Sequence, residues 1–370
     1  MAQLSISRRE LTGAPPKHAL VLGYKYALAV WRALRIRNPR ILAHALGSFY
    51  PTDLLLSLTE DELAADTILK PLTLPPKLPG AIKKILAHTG LPGTVDLLVG
   101  KPSAKRNSTG ASCHVWKGQL PCGLTTNLDD GIVLCAPELV FAQMCGSLSL
   151  AASLELAHEF CGSYSMGDTP SMPYADGCQP LTTPERLRHV VSLCPGIKNA
   201  AVARQAARLV AAGSRSPMET QQSIILSAPR TVGGYGCGTP LLNHRIDLTP
   251  EASAMAGRGY LVLDAYFPQA NTTVEYQGST HNQSATRASD DARENALALM
   301  GINTVRIWPS MLYDETKMDT IAQLIYKRSG IRLRKESPQM LIRRGELFRE
   351  LRKSSLTALQ GQGGRMIKRI

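Results

Sequence analysis

The chain reads as an α/β protein, and two observations predict it. Between residues 216 and 308 helical and strand patterns alternate, and the strand candidates 260–267, 272–277 and 302–308 are rich in β-branched and aromatic residues. Ahead of them, residues 1–92 show mostly helical spacing, and a mixture of short strands and helices follows from Gly93. Hydrophobic residues make up 44% of the 370, enough to bury a sizeable core, so the bulk of the chain is not expected to be disordered.

The elements follow in order. Residues 24–37 place Leu28, Trp31 and Leu34 at helical spacing. Pro71, Pro75, Pro76 and Pro79 punctuate a short extended linker. Residues 95–99, 113–116 and 132–134 are strand candidates; Ala136-Pro137-Glu138 opens a helix to about Cys145, and 150–160 is another. Residues 163–182 are rich in Ser, Gly, Pro and Asp and read as a loop and domain boundary. Thr183-Pro184-Glu185 starts a helix with a capping residue and Pro at its first position. An Ala-rich helix spans 199–212, and Ser216-Pro217-Met218-Glu219 begins one that runs to about Leu226. Residues 233–236 form a flexible Gly-rich turn, and Pro268-Gln269-Ala270-Asn271 is a four-residue turn between two strands. The helix 286–300 carries Ala292, Ala296 and Leu299 on one face and stops at Gly301. The expected organisation is a mainly helical region 1–92, an α+β region 93–198, a sheet domain 199–312 and a basic, partly helical tail 313–370. There is no internal repeat.

Lys and Arg number 42 against 29 Asp and Glu, a formal charge of +13 that argues for a polyanionic partner, nucleic acid or an anionic surface, and says nothing about chemistry. Residues 327–370 hold 13 basic and 3 acidic residues, most of that excess. Such a tail is either solvated or an anchor on phosphates. Leu341, Leu347, Phe348 and Leu351 form an apolar stripe that favours a docked basic helix. The N-terminus lacks a secretory pattern. The apolar stretches 19–34 and 139–154 are interrupted by polar residues, so no membrane span is expected. None of the eight cysteines forms a Cys-x-x-Cys pair; they read as reduced core thiols of a cytoplasmic protein.

The chemistry concentrates in 216–308. A four-residue turn pairs Phe267 with Thr272 and so sets Asp264 opposite Glu275, with β-carbons about 4.5–5.5 Å apart. Gln277 then shares Glu275's face. Opposed like charges are unfavourable unless a cation lies between them, and converging carboxylate oxygens suit Mg²⁺ or Mn²⁺. A one-residue slip would send the two carboxylates to opposite faces.

Glu219, Asp264, Glu275, Gln277, Gly278, His281, Asp290, Arg293, Leu297, Gly301, Val305 and Arg306 lie in an order that resembles the PD-(D/E)XK restriction-endonuclease-like family. The branch it is most similar to is that of very-short-patch repair endonucleases, much of it an uncharacterised endonuclease-domain family. The resemblance spans about a quarter of the chain and implies a mixed sheet flanked by helices and Mg²⁺-dependent hydrolysis of a DNA phosphodiester, in defence or repair. It implies Asp264 and Glu275 as metal ligands with help from the Tyr276 carbonyl, and Glu219, Gln277 and His281 as further catalytic residues. Arg287 and Arg293 in this stretch, and Arg343 and Arg344 of the basic tail, are the candidate DNA contacts. The third motif position is often Lys, supporting the nucleophile or transition state; here Gln277 can orient a water but carries no charge. A homodimer and a toxin–antitoxin or defence-system partner are compatible with this reading. Upstream, Ser112-Cys113-His114-Val115-Trp116, Leu120-Pro121, Asp130-Gly131-Ile132 and Ala136-Pro137-Glu138 resemble the C-terminal part of AbiEi-type antitoxins. That would make 1–92 the candidate winged-helix-type part and leaves an alternative function, a non-catalytic nucleic-acid-binding regulator with a degenerate nuclease fold.

Plainer readings stand beside these. Ser-x-x-Glu at 216–219 is also a capping box. Asp264 among apolar neighbours is also a structural ion-pair partner, and Glu275 also suits an exposed strand face. His281 is equally a surface histidine. Asp290 and Arg293, three apart, form an intrahelical pair unless Arg293 reaches the catalytic face. His114 reads as a strand residue, His158 and Cys161 lack a second ligand pair, and Ser216 is a cap. The 233–238 stretch lacks the Lys-Ser/Thr of a phosphate-binding loop.

Overall fold

The computed structural model describes residues 19–58, 74–75, 77–106, 108–117, 120, 122–129, 131–169, 171–194, 197–277, 284–332 and 335–360. The chain is mixed α/β and divides into two compact units. One comprises Met1–Phe160 with Cys178–Arg208, the other Cys161–Gly177 with Leu209–Ile370.

The first unit is built on a five-stranded sheet of β1 (Leu20–Leu22), β2 (Val95–Val99), β3 (Ala111–Val115), β4 (Thr125–Asp129) and β5 (Ile132–Cys135), in the order β3-β2-β1-β5-β4. β1 pairs parallel with β5 and antiparallel with β2, so a strand from the helical N-terminal stretch is the centre of the sheet. The expected boundary at 92/93 is therefore not where the chain divides: without β1 the sheet would split into two halves with open edges. Among the described residues eight helices accompany it: α1 (Tyr24–Arg37), α2 (Pro39–Gly47), α3 (Thr52–Ser57), α4 (Leu78–Thr89), α5 (Pro137–Cys145), α6 (Leu150–Cys161), α7 (Pro184–Ser192) and α8 (Ala200–Leu209). Of the linker prolines, Pro79 lies in the first turn of α4, while Pro71 and Pro76 fall outside the described residues. Trp31 of α1 is fully buried, and its indole donates to the Cys135 carbonyl at 2.9 Å. All nine residues of α5 are buried, so Glu138 needs partners; Arg186 Nε and Thr182 Oγ1 both donate to it at 2.6 Å.

The second unit begins with a hairpin where a loop was expected: β6 (Tyr164–Thr169) pairs antiparallel with β7 (Met172–Asp176). Its main sheet has the order β11-β10-β9-β8, formed by β8 (Leu241–Asp247), β9 (Tyr260–Phe267), β10 (Thr272–Tyr276) and β11 (Asn303–Ile307). β8, β9 and β10 run antiparallel in turn, and β10 runs parallel to β11. The parallel step needs a crossover, which α11 (Ser284–Leu299) supplies. The remaining helices are α9 (Pro217–Ser227), α10 (Pro250–Ala256), α12 (Pro309–Leu312), α13 (Glu315–Arg328) and α14 (Pro338–Gln360). Ala252 of α10, Leu261 and Leu263 of β9, Ala296 and Leu297 of α11, and Ile302 form one buried cluster.

The basic segment is not simply a tail. α14 buries Leu347, Phe348 and Leu351, whereas Leu341 is half exposed. The buried stripe is completed by Arg344 at helical spacing. Its side chain pairs with Glu336 and with Asp319 (3.2 Å), and its guanidinium lies 3.9 Å over the Tyr235 ring. Arg344 is thus enclosed by protein and not available to DNA, contrary to expectation, because a buried guanidinium must direct its donors to nearby acceptors. Arg343 stays exposed and donates to the Thr231 carbonyl at 2.6 Å. Gly233 explains the Gly-rich turn: its φ is +99° and a Cβ there would overlap the Arg343 carbonyl, so the turn is packed rather than flexible.

Of the seven cysteines whose side chains are described, all but Cys113 are buried. Burial pushes Cys135, Cys194 and Cys237 up to about 12, which makes them inert thiols. No helix among the described residues is long and apolar enough to cross a membrane. Replacing Arg344 by Ala is expected to cost about 1–3 kcal/mol of stability by removing one of the two guanidinium partners of Glu336, Arg230 remaining at 2.8 Å. Arg343→Ala stays within about 0.5 kcal/mol. Denaturant unfolding of the two variants, read side by side, checks this; equal losses would show that Arg344 does not anchor α14.

Candidate active site

The main sheet of the second unit is regular except around one residue. β8 and β9 pair on both sides of Asn243 and Asp264 but not through them. Asn243 has a φ of +47°, a left-handed conformation that Asn tolerates better than most residues. Its side-chain amide donates to the Gly213 carbonyl (3.0 Å) and to Glu219 Oε2 (2.8 Å). On the other side, β9 and β10 pair from Thr272–Phe267 to Val274–Ala265. This is the register expected from the turn, which is a short helical turn Pro268–Ala270 closed by Asn271 at φ +41°.

Beyond Val274 side chains replace the ladder. The Asp264 N–H donates to Glu275 Oε1 at 3.3 Å, and the Tyr276 N–H donates to Asp264 Oδ2 at 3.0 Å. Each carboxylate satisfies a backbone donor of the opposite strand, which would otherwise be left bare. The Val274 carbonyl accepts from Gln222 of α9 (2.8 Å), while β10 continues along β11, the Gln277 N–H donating to the Ile307 carbonyl at 2.9 Å.

Charge accumulates at this fork. Burial, then the neighbouring Glu275 and Glu219 carboxylates, push Asp264 from its ordinary 3.8 up to about 7, against the Tyr276 N–H and Arg293. Asp264 makes no ion pair among the described residues, and its Oδ1 accepts no hydrogen bond from them. Glu275, only 6% exposed, is well served: Thr273 Oγ1 donates at 2.5 Å and Arg293 Nη2 at 2.8 Å. Arg293 also donates to the Val262 carbonyl at 2.6 Å. It thus reaches the site from α11 instead of pairing with Asp290, and as a partner of Glu275 it is not a free DNA contact.

Glu219 does two things. Ser216 Oγ accepts the Glu219 N–H at 3.2 Å and Glu219 Oε2 accepts the Arg215 N–H at 2.9 Å, a capping arrangement at the start of α9. Burial raises its pKa, and its charge in turn acts on Asp264.

A small cleft of about 40 Å³ is lined by Glu275, Gln277, Asp290, Arg293, Glu294 and Arg306, among others. His281 and the side chain of Arg287 lie outside the described residues. His114 Nε2 donates to Asp96 Oδ1 at 2.7 Å and the ring stacks on Tyr24 at 3.8 Å, a local strand network. His158 is buried and bonded to the Leu154 carbonyl; desolvation lowers it to about 4, so it is neutral.

Three neighbours of the site were not anticipated: Asn243, Arg215 and Asp176. Arg215 Nη2 meets Asp176 of the hairpin at 2.7 Å. Burial would raise Asp176, but Arg215 holds it below the usual carboxylate range. The guanidinium also feels Glu219 and Asp264. Alternation of Tyr164 and Met166 with Met172 and Tyr174 around a turn-rich centre was the available signal for the hairpin that carries Asp176.

Among the described residues no group of three or more His, Cys, Asp or Glu is placed to hold a metal ion. A divalent ion therefore has to fit the Asp264–Glu275 pair. The chemistry is suitable: the donors are hard carboxylate oxygens, Asp264 Oδ1 accepts no hydrogen bond from the described residues, and Glu275 Oε2 is bonded among them by Arg293. The four carboxylates of Asp176, Glu219, Asp264 and Glu275 outnumber the two guanidinium groups of Arg215 and Arg293, so positive charge is wanting. No family model, curated protein or solved structure matches the chain.

Because Asp264 is raised, the folded state keeps a proton that the unfolded chain releases near 4. Stability contributed at this residue is present at low pH and is lost as pH rises from about 4 through about 7. Asp264→Asn is expected to flatten that slope and to raise the unfolding temperature at pH 8 by about 2 °C or more. Calorimetry from pH 4 to 8 reads this directly; parallel profiles for the two proteins would refute it.

Proposed function

We propose that the second unit is a restriction-endonuclease-like domain of the PD-(D/E)XK kind and that the protein is a Mg²⁺-dependent endodeoxyribonuclease acting in defence or repair. One observation carries this reading: Asp264 sits where the sheet ladder fails on both sides, with a bare carboxylate oxygen and two further carboxylates acting on it. Asp264 is half-buried and has no cation partner among the described residues, although two carboxylates act on it. A mixed sheet with helices around it is also what the sequence resemblance implies.

Asp264 and Glu275 would hold the ion, beside the Tyr276 backbone. When bound, Mg²⁺ supplies Lewis-acid stabilisation of phosphoryl charge and acidifies a water. Gln277, in the cleft with Glu275, orients water by hydrogen bonding and contributes no charge. Positive charge near the phosphate comes from a guanidinium group instead, that of Arg215 within the field of Asp264. Glu219 adds negative charge and fixes the start of α9 while Asn243 holds its carboxylate. Along α14 the exposed Arg343, Arg349 and Arg352 offer sequence-independent contacts to the backbone.

A second reading, a nucleic-acid-binding antitoxin-like regulator with a degenerate nuclease fold, is favoured by the closure of Glu275 by Arg293 together with Gln277 in place of Lys. Supercoiled plasmid separates the two. The nuclease reading expects nicking that needs Mg²⁺ and falls at least about 100-fold in Asp264→Ala and in Glu275→Ala. DNA binding without cleavage at any Mg²⁺ concentration would leave the regulator. In either case, replacing Arg343, Arg349 and Arg352 together by Ala is expected to make the plot of log affinity against log salt shallower, by roughly 0.9 in slope for each phosphate no longer neutralised. An unchanged slope would remove α14 from the DNA interface.

A further inference from the structure

We propose that Arg293 is the resident counter-cation of Glu275 and that a divalent ion binds only by displacing it, releasing the guanidinium into the adjoining cleft. The inference rests on the nuclease-site reading and adds a competition built into it.

Glu275 is buried, and a buried carboxylate without a partner is costly. Arg293 supplies that partner, and is held at two points, Glu275 Oε2 at 2.8 Å and the Val262 carbonyl at 2.6 Å. The guanidinium therefore ties β9 to β10 just where their ladder has stopped. It is also placed to move. Arg293 is 27% exposed in its side chain and lines the cleft with Asp290 and Glu294. Glu294 is taken by Arg306 at 2.8 Å. Asp290, three residues before Arg293 on the same helix face, has no hydrogen bond or ion pair among the described residues. The spacing that suggests an intrahelical pair thus provides a second resting place for the guanidinium. With Arg293 on Glu275 the site is closed by a monovalent charge; with Arg293 on Asp290 the Glu275 oxygen is free for a divalent one. Apparent ion affinity then falls in proportion to the time Arg293 spends on Glu275.

Mn²⁺ is the probe, titrated into the full-length chain and followed by loss of the free-ion paramagnetic resonance signal, which needs no turnover. Arg293→Gln is expected to bind Mn²⁺ roughly tenfold more tightly than the wild type, and Asp290→Asn severalfold more weakly. Arg293→Lys, which keeps the charge and the packing of the stem, stays within about threefold of the wild type and guards against misfolding of the Gln variant. Equal affinity in wild type and Arg293→Gln, with binding lost in Glu275→Gln, would overturn the displacement and leave the metal site standing. Weaker binding in Arg293→Gln while Arg293→Lys binds normally would overturn it as well, by making the cation a support for the ligands. No Mn²⁺ bound to wild type or to any variant would overturn the metal reading itself, and the competition with it.

Discussion

A missing rung in the sheet organises the second unit. Asp264 lies on a central strand, yet neither neighbour pairs with it: Asn243 turns away on one side and β10 leaves on the other. A strand interior with unpaired backbone groups survives only if something else satisfies them. Here the substitutes are the two carboxylates themselves, Glu275 for the Asp264 N–H and Asp264 for the Tyr276 N–H. Fixing them as acceptors also fixes them close together, which is why burial and like charge add at Asp264. The geometry of the sheet and the electrostatics of the site are one fact.

The first unit shows how this chain treats an acid when nothing is asked of it. Glu138, almost fully buried, receives Arg186 and Thr182, and Glu159 receives Arg32 at 2.6 Å. Arg344 in the second unit is met by Glu336, Asp319 and Tyr235. Asp264, half-buried, by contrast has no cation partner among the described residues. Local rules broken without local compensation mark sites held for a purpose other than stability.

How much of this was legible in the sequence differs with the range of the cause. The β9–β10 register followed from four turn residues, because turn length sets pairing and Asn271 accepts the positive φ that closes it. The helices α1, α5, α6, α7 and α9 followed from spacing and caps. What escaped was decided at a distance. The three-residue β1 carries too little pattern to announce itself as the centre of a sheet. Hairpin composition in 164–176 reads as a loop until Tyr164 and Tyr174 are seen to pack. Arg344 was indistinguishable from Arg343 along the chain; only the angle between them on α14 sends one inward and the other to solvent.

The same charges bear on which of the two readings of function is physically easier. A net charge of +13 draws a polyanion in from afar, but beyond a Debye length of about 8 Å that attraction is screened. Within the last few ångströms a phosphate meets four carboxylates and two guanidinium groups, and Gln277 offers nothing to either sign. A bare site of this kind repels the backbone it would have to hold, so a protein that only binds DNA gains nothing from keeping it. Two positive charges added between Asp264 and Glu275 cancel that excess of two negative charges and remove the barrier. An acid cluster this poorly compensated is therefore costly for a mere binder and useful for an enzyme that acquires its cation and its phosphate together.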